Sequence, residues 1–151
     1  MALNRDFIGR VIPGDDTFEV GIELIRRFAD AIGDTNPISH DRAAAQAAGY
    51  ADVVAPPTFL MTIGSRFSHL AVTHDPDLNL DYGRVVHGEQ AFHLTRPVVA
   101  GDVLTMSQHV DDVRDAGVNE LIAITTTVLD DQGELVATLV QSVISRGTAG
   151  T

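Results

Sequence analysis

Cysteine, tryptophan and lysine are all missing from this chain of 151 residues, and its ten basic side chains are all arginine. Without cysteine there is no disulfide framework, no thiolate nucleophile and no Cys-type zinc or iron–sulfur site. Without lysine there is no Schiff base to a carbonyl substrate and no P-loop lysine. Positive charge is scarce: 10 arginines face 21 acidic groups, for a net charge of -11. Nucleic-acid binding needs a basic surface, so that class of partner is not expected. No apolar run approaches the ~20 residues of a membrane-spanning helix, so no membrane partner is expected either. The start, Met1-Ala2-Leu3-Asn4-Arg5, has no apolar core of a secretory signal, which gives the expectation of a cytoplasmic location. Histidine, carboxylates, hydroxyls and arginine remain for chemistry.

At 44% hydrophobic the chain can build a core, and its length suggests one domain. The expectation is a single domain over 1–147 and a flexible tail over 148–151. The first half reads as helices. Val20, Leu24, Phe28 and Ile32 recur every four residues and predict a helix up to about Ala31. Residues 41–49 read as a short Ala-rich helix with Asp41 as N-cap and Gly49 as stop. Pro56-Pro57 predicts the start of a third helix to about Val72, since proline is tolerated in a first turn. Its apolar residues Phe59, Leu60, Ile63, Phe67, Leu70 and Ala71 cover much of the circumference, as in a buried helix.

The second half reads as strands over 85–95, 102–112, 120–129 and 134–145, with hairpin turns at Asp115-Ala-Gly117 and Asp131-Gln-Gly133. Residues 7–12 add a possible edge strand. These elements predict an α+β fold: an antiparallel meander curved around the apolar helix. A sheet of this kind leaves an edge to cover, so a dimer is expected.

Three clusters carry candidate chemistry. The first is Gly33-Asp34-Thr35-Asn36-Pro37-Ile38-Ser39-His40-Asp41. These residues suit punctuation, a helix stop, a turn and a cap. Spacing alone favours that structural reading; a functional reading makes them an acid/base pair, with His40 as base and Asp34 orienting or protonating an oxygen. The second is Asp52 to Phe59, where the N–H groups of Thr58 and Phe59 offer an oxyanion site at a helix start. The third is the strand 85–95, whose strict alternation puts His87, Glu89 and His93 on one face. Residues two apart on a strand stand ~6.5–7 Å apart, wide for shared metal ligands, so a polar face is expected there and no metal site. His69, His74 and His109 read as surface residues, and Arg66, Arg84 and Arg96 as a possible basic rim.

Four stretches together resemble the MaoC-like hot-dog family of (R)-specific enoyl hydratases and (3R)-hydroxyacyl-thioester dehydratases. They are Phe28 to Pro37, Ala43 to Tyr50, Val54-Ala-Pro-Pro-Thr-Phe59 and Arg96-Pro-Val-Val-Ala-Gly-Asp102. The Ala-Pro-Pro-Thr-Phe form with His87-Gly88-Glu89 is similar to the narrower FAS1-like dehydratase, or UPF0336, group. That group includes the substrate-binding subunit of heterodimeric mycolic-acid dehydratases. The resemblance covers nearly the whole chain and implies a hot-dog fold, a hydro-lyase reaction without a cofactor, and an acyl-CoA or acyl-ACP thioester as ligand.

It further implies a homodimer or a heterodimer with another MaoC-like subunit. Asp34 and His40 are the implied catalytic pair, with Asn36, Ser39, Pro57, Thr58, Phe59 and His87 facing substrate. Two positions depart from the family motif Asp-x-Asn-Pro-x-His and the later His-Gly. Ser39 stands at the place of the motif histidine, with His40 one residue late, and Pro56-Pro57 stand at the place of His-Gly. The expected function is therefore a (3R)-3-hydroxyacyl-thioester dehydratase, or else a non-catalytic acyl-binding subunit that pairs with a catalytic one.

Overall fold

The computed structural model describes residues 1–14, 16–67 and 69–150, with side chains outside 64–71. Helix α1 spans Ile22–Ile32 and buries Ile25 and Ala29 completely. Gly33, at φ 72, closes it: its N–H bonds back to the Ala29 and Asp30 carbonyls, a left-handed cap that glycine adopts without strain. Helix α2 spans Arg42–Ala47, and Asp41 caps it by accepting from the Ala44 N–H at 2.7 Å.

The third helix begins later than Pro56-Pro57 predicts. The Phe59 N–H donates to the Pro56 carbonyl at 2.9 Å, closing a turn. Helix α3 then spans Leu60–Phe67 and α4 spans His69–His74. Phe59, Leu60 and Ile63 are buried, as expected. The expected burial of Phe67, Leu70 and Ala71 concerns side chains outside the described residues, as do Arg66 and His69.

Strands β1 (Val11–Ile12), β2 (Phe18–Glu19), β3 (Val85–Leu94), β4 (Val103–Ala116), β5 (Asn119–Asp130) and β6 (Leu135–Ser145) form one antiparallel sheet. Its order, β1-β4-β5-β6-β3 with β2 also on β4, corrects the expected meander. β3 pairs with β6 instead of with its successor β4. The reason lies in the long connection at 95–102. It crosses above the sheet, tied to the turn before α3 by the Ala55 N–H to Val98 carbonyl bond (2.8 Å) and the Ala100 N–H to Val53 carbonyl bond (2.9 Å). β3 therefore forms a sheet edge.

The sheet wraps α3 on one face. Phe59, Leu60 and Ile63 pack there against Leu104, Met106, Val128, Ala137 and Leu139. Each fully buried large apolar side chain contributes ~1.5–3 kcal/mol. Toward the other end of the same layer Leu3, Phe7, Val72 and Leu78 cover Val110, Ile122, Ile124 and Val143. The buried Glu120 carboxylate holds the N-terminal segment by accepting from the Leu3 N–H at 2.9 Å. At the C-terminus two hydrogen bonds join Thr148 and Ala149 to the sheet and its turn. Buried Thr148 donates to the Ser145 carbonyl, and the Ala149 N–H to that of Val118. Among the described residues no helix is long and apolar enough to cross a membrane.

Arg96 fastens the crossover to the sheet. Its guanidinium donates to Asp102 at 2.8 Å and to Asp130 at 3.3 Å. The Glu134 N–H above all, with Arg96 assisting, holds the Asp130 carboxyl below the usual carboxylate range. A carboxyl depressed in the folded state contributes stability that is complete above the unfolded value, ~3.9, and is lost as pH falls through the folded value. Asp130→Asn keeps an acceptor for the turn and removes the charge. We expect its stability deficit in urea melts at pH 7 to shrink toward zero below about pH 4. A deficit constant with pH would contradict this origin.

Candidate functional site

The loop after α1 is built by its own short polar side chains. Asp34 accepts from the Asn36 N–H at 2.9 Å, and Asn36 from the Ile38 N–H at 3.3 Å. Residues Pro37–Ser39 then form one 3-10 turn. The Val54 N–H donates to the Ile38 carbonyl at 2.9 Å, which seats this loop against the segment before α3. Between them, and closed by the end of β3, lies a cavity of about 460 Å³. Asp34, Asn36, Ser39 and Pro57 line it together, as do Ile38, Tyr50, Val54, Leu94, Thr95 and Arg96.

His40 is directed elsewhere. Its Nε2 lies 2.6 Å from the Asp34 backbone carbonyl. A carbonyl only accepts, so Nε2 carries the proton. Nδ1 lies 3.7 Å from the Asp30 carboxylate on α1. The His40 carbonyl also accepts from the Arg26 guanidinium at 2.8 Å. The ring thus binds the loop to α1, and it is not part of the cavity wall.

A second cavity of about 640 Å³ opens between α3 and β3, lined by Phe28, Thr58, Met61, Thr62, His87, Gln90 and Phe92. It contains two of the expected substrate-facing residues, Thr58 and His87. Phe59 lies beneath it, 2% exposed, and its ring meets Phe28 edge-on at 5.7 Å. Of the two N–H groups expected at an oxyanion site, that of Phe59 is occupied by the Pro56 carbonyl.

The strict alternation expected for 85–95 breaks at a bulge. The register shifts between His87, opposite Val143, and Glu89, opposite Ser142. Gly88 is the extra residue, and a β-carbon there would stand 2.6 Å from the Ser142 hydroxyl. His87 therefore joins Gln90 and Phe92 on the face toward α3, while Glu89 and Ala91 line the outer face. The His87-Glu89-His93 row does not exist. Among the described residues no group of three or more His, Asp or Glu is placed to hold a metal.

The expected basic rim is already neutralised where it is described: Arg84 pairs with Asp81 at 3.4 Å, and Arg96 with Asp102 and Asp130. His74 meets the Tyr82 hydroxyl at 2.8 Å, and His109 the Asp111 carboxylate at 2.7 Å. Reading by sequence missed Tyr50 and Thr95 as cavity residues. Tyr50 directly follows Gly49, whose φ of 94 redirects the chain, and that glycine was the available signal.

Comparison with known proteins bears on this arrangement. Residues 6–139 match the family model described as FAS1-like, dehydratase domain region. A UPF0336 protein of Parafrankia sp. is 51% identical over 149 residues, covering 99% of this chain and 98% of its own. A solved MaoC-like dehydratase superposes at TM-score 0.86 with 33% identity, over 95% of this chain and 43% of that longer one. The HadBC (3R-hydroxyacyl-ACP dehydratase) complex of Mycobacterium tuberculosis matches at TM-score 0.84 and 28% identity, over 94% and 99%.

Proposed function

The chain belongs to the FAS1-like dehydratase group of MaoC-like hot-dog proteins, and from that premise we propose that it is the acyl-binding subunit of a cytoplasmic (3R)-3-hydroxyacyl-thioester dehydratase. A second MaoC-like subunit, with an intact Asp-x-Asn-Pro-x-His motif, supplies the general base. The observation that carries this reading is the direction of His40. The cavity wall at that place is the Ser39 side chain, while the imidazole donates to the Asp34 carbonyl and faces Asp30. A base must come within ~2.6–3.2 Å of the proton it removes, directly or through one water.

The apolar cavity between α3 and β3, with Phe28, Met61 and Phe92 on its walls, suits an acyl tail. The partner is placed along β3. Among the described strands β3 is hydrogen-bonded only to β6, so its other side offers ten residues of edge. A long unpaired edge is a template for pairing with another chain. The second reading, a self-sufficient homodimer, is favoured by Asp34, which retains its place on the cavity wall.

His40→Ala separates the two readings. In the assembled enzyme the acyl-binding reading expects kcat within about twofold of wild type. A general acid–base residue contributes about 10²–10⁴-fold, and a loss of that size with an unaltered fold would establish the second reading.

A further inference from the structure

A row of polar side chains crosses the inner face of the sheet between its two apolar clusters. Gln108 on β4 stands opposite Thr126 on β5, and Gln141 on β6 opposite Gln90 on β3. Met106, Val128 and Leu139 lie on one side of the row, and Val110, Ile124 and Val143 on the other. At the β3 end the row is unfinished. Gln141 is 5% exposed, yet its Nε2 has no hydrogen-bond partner among the described residues, and neither has the buried Oε1 of Gln90. Buried polar groups in native proteins are nearly always satisfied, so two orphans on directly paired residues call for an account. Gln90 lies on the wall of the 640 Å³ cavity, between His87 and Phe92. Its Nε2 is held only by long contacts, 3.4 Å each, to the Ala91 and Val140 carbonyls, so the amide is free to turn toward the cavity.

An unpaired donor beside an unpaired acceptor narrows the chemistry. An alkyl chain leaves both orphaned. A ketone or an ether accepts from Gln141 and leaves the Gln90 oxygen unpaired. A carboxylate sets its charge against that oxygen, and the described residues of this wall include no arginine. A hydroxyl donates to one amide and accepts from the other, whichever way each amide is turned. Its place along the acyl chain follows from β3. Leu94 lines the cavity that holds Asp34, and Gln90 stands four residues before it, ~13 Å at the rise of a strand. We propose that Gln90 and Gln141 form a hydrogen-bonding station in the acyl cavity, which selects tails that carry a hydroxyl well away from the thioester. The inference rests on the acyl-binding reading above and specifies the class of acyl tail. Sites built to hydrogen-bond a hydroxyl reject analogues that lack it far more strongly than apolar pockets reject a missing methylene.

Isothermal titration of the full chain with dodecanoyl-CoA, 10-hydroxydodecanoyl-CoA and 12-hydroxydodecanoyl-CoA tests it. These ligands differ only in the tail hydroxyl and its position. We expect one hydroxy form to bind about tenfold tighter than dodecanoyl-CoA, because it satisfies two buried amides at once. Gln90→Leu and Gln141→Leu should each reverse the order, weakening that form and tightening the plain chain, since leucine replaces an unpaired amide with an apolar wall. Binding of dodecanoyl-CoA with no gain from either hydroxyl overturns the proposal and leaves the acyl-binding reading intact. A loss of equal size for all the ligands in the leucine variants overturns it too, because the amides would then be meeting the pantetheine arm that the ligands share. A preference that survives both substitutions overturns the assignment to these residues. Absence of binding by every thioester overturns the acyl-binding reading and the proposal together.

Discussion

Phe59→Ala is expected to cost about 3–5 kcal/mol of folding stability. Phe59 is 2% exposed and stands where three structures meet: the turn before α3, the α1 face through Phe28, and the sheet. Removing the ring deletes its transfer free energy and leaves a cavity. The surroundings cannot collapse into it, because α1 is fixed by its glycine cap and the turn by the Phe59 N–H bond to Pro56. The edge-on contact with Phe28 adds about 0.5–1.5 kcal/mol beyond area burial. Phe28 lines both the cavity between α3 and β3 and the smaller cleft between α1 and α3. Phe59→Leu, which keeps most of the volume, should recover much of the loss. Urea unfolding of the three proteins checks this; a loss under 1 kcal/mol for the alanine variant would mean that the ring is not a keystone of the core.

Local signals made much of the fold legible. Asp41, Gly33 and Gly49 marked helix ends because capping and left-handed geometry are set by single residues. The four long strands were visible in their Val, Ile and Thr content. Neighbour order in the sheet was not, because periodicity reports which face a residue takes and says nothing about which strand lies beside it. The pairing of β3 with β6 depends on the crossover at 95–102, whose fastening by Arg96 to Asp130 spans 34 positions. The bulge at Gly88 likewise comes from the pairing with β6, and it alone moved His87 to the α3 side.

The site divides in the same way. Asp34, Asn36 and Ser39 were found because they lie in one short loop and bond to one another's backbone. Tyr50 and Thr95 were missed because their place on the cavity wall depends on distant segments. The direction of the His40 ring was illegible for a related reason. It is set by carbonyl and carboxylate groups at the end of α1, at positions whose role in the sequence is to finish a helix.

Reconstitution tests the central claim, that this chain holds the acyl thioester and a second subunit supplies the base. Both steps need the same assembly: a cavity with Asp34 and Ser39 but no imidazole among the described residues of its wall, and an edge strand β3 open to a partner. The measurement is the hydration rate of trans-2-octenoyl-CoA by the purified chain, by a MaoC-like subunit carrying the Asp-x-Asn-Pro-x-His motif, and by the two mixed. We expect no turnover above background for the chain alone and a rate about a thousandfold higher for the mixture, the scale expected when a missing general base is restored. A purified homodimer of this chain that hydrates the substrate at the mixture's rate, and loses that rate on Asp34→Asn or His40→Ala, would contradict it.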